Sequence, residues 1–156
     1  MKLTAFTDYS LRVLIYLAAE PGRKATIAEI SQAFAISEHH LVKVVHFLGR
    51  RGWVRTARGK GGGIVLGKAP EEIPVGRVVR DTEGEPAPAV CFEAEGGRCA
   101  IGRCCRLKGV LAEAVAAFSS VLDRYTLADI AGNRRELAQV LGLLESQRRP
   151  AVPQPA

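Results

Sequence analysis

The sequence predicts a mainly α-helical fold: a winged helix-turn-helix with a β-hairpin wing, followed by a long dimerisation helix. Three observations predict it. Two short helical patterns are joined by a turn of only two or three residues. A basic segment of period two follows them. From Leu107 onward, apolar residues repeat in nearly three heptads.

The first helix is expected over Asp8–Ala19, where Leu11, Leu14, Ile15 and Ala18 recur at i, i+3, i+4 and i+7, with Thr7 as N-cap and Pro21-Gly22 as the stop. Thr26-Ile27-Ala28-Glu29 forms a capping box that opens a second helix to about Phe34. Ser37 caps the third, with Leu41, Val44, Val45 and Leu48 on one face. Trp53–Ala57 and Gly63–Gly67 read as strands around the tip Arg58-Gly59-Lys60-Gly61-Gly62. Pro70 and Pro74 bracket a linker to a short helix over Val75–Arg80, and 84–88 is loop.

In the heptad segment, Leu107, Ala114 and Val121 form one apolar set, and Leu111, Phe118 and Tyr125 the other. The simplest partner for such a seam in a short chain is the same helix of a second subunit. Thr126-Leu127-Ala128-Asp129 caps a small helix, and Leu137, Val140, Leu141 and Leu144 pattern another. The proline-rich tail 148–156 is expected to be disordered. The organisation expected is a DNA-binding unit over 1–80, a cysteine loop over 81–106, the dimerisation and C-terminal helices over 107–147, and the tail.

Composition narrows the function. The chain has 156 residues, 47% of them hydrophobic, enough for one domain and an extension. No apolar run reaches a membrane span, and the start Met1-Lys2-Leu3-Thr4 lacks a signal-peptide core, so a cytoplasmic protein is expected. The net charge of +6 is concentrated in residues 1–80, which carry 13 Lys/Arg against 6 Asp/Glu. No acidic residue occurs from His39 to Pro70. That is the footprint of a polyanion-binding half. On the third helix, His39, His40, Lys43, His46 and Arg50 avoid the apolar face and are candidates for base edges and phosphates of double-stranded DNA. Arg58 and Lys60 on the Gly-rich tip are candidates for phosphates or a minor groove. A phosphate-binding P-loop is excluded, because Lys60 is followed by Gly rather than Ser or Thr. The three histidines lack the regular spacing of zinc ligands. No nucleophile–base pair or paired carboxylates mark an enzyme.

Cys91, Cys99 and Cys105 fall within fifteen residues, with gaps of seven and five. Zinc ribbons pair cysteines two to four apart, whereas wider gaps suit an iron–sulfur cluster, whose iron atoms are ligated from several sides. Gly96-Gly97 and Gly102 give the backbone freedom to wrap it, and Arg98, Arg103 and Arg106 offset the charge of thiolates and sulfides. On spacing alone, a cluster, a zinc ion and a reactive thiol all remain open. Cys104, adjacent to Cys105, does not easily face the same cluster.

Several segments together resemble one family. These are Leu3-Thr4-x-Phe6-Thr7-Asp8-Tyr9-x-Leu11-Arg12, the wing Arg58-Gly59-Lys60-x-Gly62-Gly63-Ile64-x-Leu66-Gly67-Lys68, the run Cys105-Arg106-Leu107-Lys108 with Cys99 before it, and Tyr125-Thr126-Leu127-Ala128-Asp129. Over about residues 1–130 the chain is similar to the NsrR-type repressors, nitric-oxide-sensing members of the bacterial iron–sulfur winged-helix regulators. The resemblance implies a homodimer that binds palindromic operator DNA and releases it when its cluster is nitrosylated. It implies that Cys91, Cys99 and Cys105 hold the cluster, 4Fe–4S favoured and 2Fe–2S possible, with Asp8 of the other subunit as fourth ligand. Read without the resemblance, Asp8 is a first-turn acid favoured by the helix dipole. The related iron–sulfur-biogenesis regulators carry a His where this chain has Lys108, which sets that subgroup aside. The gap from Cys91 to Cys99 is long for the subgroup and Cys104 is additional; the local match selects Cys105 over Cys104. The alternative function is a zinc- or thiol-redox-controlled winged-helix regulator.

Overall fold

The structure is a computed structural model that describes residues 2–57, 59, 61–84, 87–92, 99–102 and 104–143. Helix α1, Ala5–Ala19, runs through the centre and touches five other helices and the second wing strand. Its start lies one turn earlier than the apolar pattern predicts. Thr4 is the N-cap, its hydroxyl accepting from the Thr7 amide at 3.3 Å. Thr7, the expected cap, is instead fully buried and donates its hydroxyl to Thr82 at 2.8 Å. The expected single apolar face is also too narrow: Val13, Leu14, Tyr16, Leu17 and Ala18 are all buried, because neighbours wrap the helix on nearly every side.

Helix α2, Ile27–Phe34, opens on the predicted capping box, with Glu29 and Thr26 exchanging hydrogen bonds. Ala35 then adopts left-handed geometry at φ 51°, and Ser37 precedes α3, Glu38–Arg50. Ser37 is the N-cap position, but its side chain makes no capping bond. Leu41, Val44, Val45 and Leu48 bury the inner face of α3 as their spacing requires.

Strands β1, Val54–Ala57, and β2, Gly63–Leu66, pair antiparallel from Val54↔Leu66 to Ala57↔Gly63. Ala25 adds a bridge to Ile64, closed by two backbone bonds of 3.0 and 2.7 Å, so the wing is stitched to the α1–α2 connection. Gly63 permits this approach: its φ is 155°, and a Cβ there would stand 2.9 Å from Lys24 Cβ.

Helix α4, Val75–Glu83, runs three residues past the predicted end and buries Val75, Val78 and Val79. Glu83 at its end accepts from the Thr4 amide at 2.7 Å, tying the end of α4 to the start of α1. Helix α5, Arg106–Asp123, packs along α4 yet has no fully buried residue. Leu111, Val115, Ser119 and Leu122 are half-buried at helical spacing, while Leu107, Val110, Ala114, Phe118 and Val121 are exposed. Tyr125, the last predicted seam residue, lies beyond the end of α5 and is exposed too.

Short helices α6, Leu127–Ile130, and α7, Arg134–Val140, close the described chain. The Thr126–Asp129 capping box forms as predicted. Leu127, Ala131, Ala138 and Leu143 join the core that Val13 and Leu14 begin. Val140 does not follow its predicted pattern: it is 80% exposed, and Ala138 takes the inward position. Leu144 and the tail 148–156 lie outside the described residues.

Candidate nucleic-acid interface and sensor loop

All five candidate DNA-reading residues of α3, His39, His40, Lys43, His46 and Arg50, are exposed, opposite the buried Leu41–Leu48 stripe. The face follows from amphipathic spacing, since residues three and four apart share one side of a helix. Arg58 and Lys60 lie outside the described residues. Next to them, Lys24 Nζ donates to the Gly61 carbonyl at 2.7 Å and links the tip to the start of α2.

Two aromatic contacts tie the start of α1 to this reading helix. Tyr9 stacks on His40 with ring centroids 6.1 Å apart, and Phe6 meets Phe47 edge-on at 5.2 Å. Between them in sequence stands Asp8. Its carboxylate is half-exposed and held by Arg12 of the same helix, with contacts of 3.1 Å from Nε and 2.9 Å from a terminal nitrogen. This fork pairing is a competitor for any metal that Asp8 would ligate. Sequence reading missed Arg12 as the partner, although the i, i+4 spacing of an acid and a base was its signal.

The cysteines occupy the turns that lead into α5. Cys91 is half-buried within a 3-10 turn, Val90–Phe92, and Cys105 is half-buried at the N-cap position of α5. The exposed Cys99 begins a tight turn in which its carbonyl accepts from the Gly102 amide at 2.9 Å. Lys108 Nζ lies 5.7 Å from the Phe92 ring centroid, which draws the Cys91 turn against the first turn of α5. Cys104 is exposed and turns its thiol toward the Ile101 carbonyl at 3.5 Å.

All four cysteines are free thiols. Three soft sulfur donors are by type suited to iron or zinc rather than to a hard oxygen-seeking ion. Among the described residues, no group of three or more His, Cys, Asp or Glu is gathered closely enough to hold a metal ion. The three cysteines and Asp8 are therefore not brought together, and the segment 93–98 between two of them lies outside the described residues.

Two buried-edge carboxylates brace the scaffold. Burial pulls the Glu29 carboxyl upward, but hydrogen bonds from the Thr26 amide and hydroxyl and from Arg23 hold it below the ordinary carboxylate range. Glu83 follows the same balance, with burial outweighed by the nearby Thr7 hydroxyl and by bonds from the Thr4 amide and hydroxyl.

Comparison with known proteins places this geometry in context. A family described as "Rrf2: Iron-dependent Transcriptional regulator" matches residues 3–133. The chain is 49% identical over 146 residues to the HTH-type transcriptional regulator NsrR of Bacillus subtilis, covering 93% of this chain and 100% of that one. It is 48% identical over 142 residues to the NsrR regulator of Geobacillus kaustophilus, covering 90% and 97%. Among solved structures, it resembles CymR, the global cysteine regulator of B. subtilis, at 32% identity and a TM-score of 0.65, covering 85% of this chain and 98% of that one. No described helix is long and apolar enough to cross a membrane. Helix-turn-helix, wing and relatives agree on a regulator of transcription rather than an enzyme. The chain belongs to the Rrf2 family of iron-dependent transcriptional regulators.

Proposed function

We propose that the chain is a nitric-oxide-responsive repressor that binds palindromic operator DNA as a homodimer and releases it when an iron–sulfur cluster is nitrosylated. The observation that carries the reading is the placement of Asp8 beside Tyr9, whose ring stacks on His40 of the reading helix. Whatever holds the Asp8 carboxylate acts, through one residue of α1, on the helix that meets DNA.

Cys91, Cys99 and Cys105 are the ligands of the sensor loop, and Asp8 reaches it from the other subunit. Bound there, a cluster, 4Fe–4S by family resemblance, would supply iron open to reaction with nitric oxide. Asp8 would be the weakest donor of the set, an oxygen among sulfurs, and its release would free α1. Arg12 then recaptures the carboxylate in the fork pairing described above. The exposed stripe Leu107, Ala114, Phe118 and Val121, with half-buried Leu111 and exposed Tyr125 at its borders, pairs with its copy and sets the spacing of the two reading helices. His39, His40, Lys43, His46 and Arg50 read the major groove, while Arg58 and Lys60 of the wing hold the backbone.

The test is operator binding followed by fluorescence anisotropy with anaerobically prepared protein. Tight binding to a palindromic site that collapses on nitric oxide addition is expected. Binding that ignores nitric oxide but responds to peroxide, reversibly with thiols, favours thiol-redox control instead. The exposed Cys104 beside Cys105 is the feature that keeps that second reading in play.

A further inference from the structure

The end of α3, the base of the wing and α4 enclose an open cleft of about 520 Å³. Its walls are electropositive: Arg50, Arg51, Lys68 and Arg77 face it, against Asp81 and Glu72. Both carboxylates are already engaged. Asp81, with a side chain only 9% exposed, accepts from Trp53 Nε1 at 3.1 Å and pairs with Arg77 Nε at 3.3 Å. Glu72 accepts from the Ala69 amide at 3.1 Å.

Two of the remaining cations rest on ring faces. Lys68 Nζ sits 4.9 Å from the Trp53 ring centroid, and the Arg51 guanidinium lies 5.4 Å from that of Phe47. Arg51 also makes a long ion pair with Asp81, at 4.0 Å. Among the described residues, Arg50 and Lys68 have no carboxylate within ion-pair distance. Such a cleft holds uncompensated positive charge in a fixed arrangement, and its size is that of a small-molecule site.

Its position argues against operator DNA as the occupant. The wing strands run from Val54↔Leu66, beside the cleft, to Ala57↔Gly63 at the tip, a separation of about 10 Å at ~3.3 Å per residue. On α3 the cleft lies at the final residue, about 18 Å from the first turn at ~1.5 Å per residue. Apart from Arg50, the last of the DNA-reading candidates on α3, its lining therefore lies at the opposite end of both reading elements.

We propose that this cleft binds a small phosphate-bearing anion, with the Arg51 and Arg77 guanidinium groups and the Lys68 ammonium as donors. Guanidinium forks match phosphate oxygens in pairs, and the lysine adds a point charge.

Inorganic pyrophosphate is the probe, titrated into the full chain at constant ionic strength. Trp53 is the single tryptophan, and Lys68 rests on its ring, so occupancy is read directly as a change in its emission. The expected result is a saturable response with one site per chain, and a rise in Tm. By calorimetry, Lys68→Gln and the double variant Lys68→Gln/Arg77→Gln lose affinity by about tenfold or more, the scale of a lost charge-assisted bond. The single variant leaves the Asp81–Arg77 pair intact and so guards against a folding defect. A non-saturating response, or equal affinity in wild type and Lys68→Gln, overturns the proposal. It is also overturned if saturating operator duplex excludes pyrophosphate and Lys68→Gln lowers the salt dependence of operator binding, since the cleft then belongs to the DNA interface.

Discussion

Replacing Gly76 by alanine tests how α5 is coupled to the DNA-binding unit. Gly76 has ordinary helical geometry in α4, so on helix propensity alone the change should stabilise by up to about 1 kcal/mol. The packing opposes it. A Cβ at this position would stand 2.1 Å from Asp123 Oδ1 and 2.9 Å from the Asp123 amide nitrogen near the end of α5. The carboxylate can rotate away, giving up its two bonds to Arg80 at 2.7 and 2.9 Å. That pair is more than 40% exposed on both sides and contributes at most ~1 kcal/mol. The amide nitrogen cannot rotate away, so α5 must shift, and overpacking of this kind costs about 1–3 kcal/mol. The net expectation is a loss of about 1–2 kcal/mol, read as a fall of several degrees in Tm at ~2–4 °C per kcal/mol for a chain of this size. Thermal unfolding by circular dichroism at fixed protein concentration measures it. A Gly76→Ala protein as stable as wild type, or more stable, would refute the reasoning.

Four further outcomes are expected. Asp8→Ala leaves the exposed face of α3 intact but removes the proposed fourth ligand, so chelators should strip iron from the loaded protein about tenfold faster or more; unchanged iron loss removes Asp8 from the ligand set. Phe118→Asp, on the exposed face of α5, should leave a monomer in analytical ultracentrifugation where the wild type forms the proposed homodimer, and a dimer that persists in the variant shows that another surface pairs. Lys43→Ala should weaken operator binding and reduce the dependence of log K on log salt by about one unit if the ammonium meets a phosphate, an equal slope placing it off the backbone. Glu29, whose folded carboxyl lies below its ordinary value, contributes stability that is present above the unfolded value and lost as pH falls through the folded one. Acid titration of Glu29→Gln should therefore show a shallower loss of stability below about pH 4.3 than wild type, and identical profiles would show that the Thr26 and Arg23 bonds to Glu29 add nothing.

Much of the fold was legible because its signals are local. The Thr26–Glu29 and Thr126–Asp129 capping boxes, the apolar face of α3 and the two wing strands depend on residues within one turn or one hairpin. What was not legible depends on distant packing. Thr7 reads as a cap until Thr82 offers its hydroxyl a partner from α4. Burial of α1 on nearly every side follows from α6 and α7 returning to it, which periodicity cannot announce. Gly76 looks like an ordinary helical glycine until Asp123 is seen above it. The exposure of the polar face of α3 was legible in the same way as the fold, residue by residue along the helix. The sensor set was legible only as residue types: Cys91, Cys99 and Cys105 announce soft-metal chemistry, but Asp8 carries no sign of metal in its own helix turn. A site assembled, as proposed, from separate segments and two subunits leaves no spacing rule in a single sequence.

The most direct test of the central claim is the visible absorption spectrum of anaerobically purified protein during a nitric oxide titration, with operator binding followed in the same samples. The account predicts a brown protein whose broad absorbance bleaches in step with release of DNA. A colourless protein that lacks iron and sulfide after strictly anaerobic preparation, yet still binds and releases its operator, would contradict it.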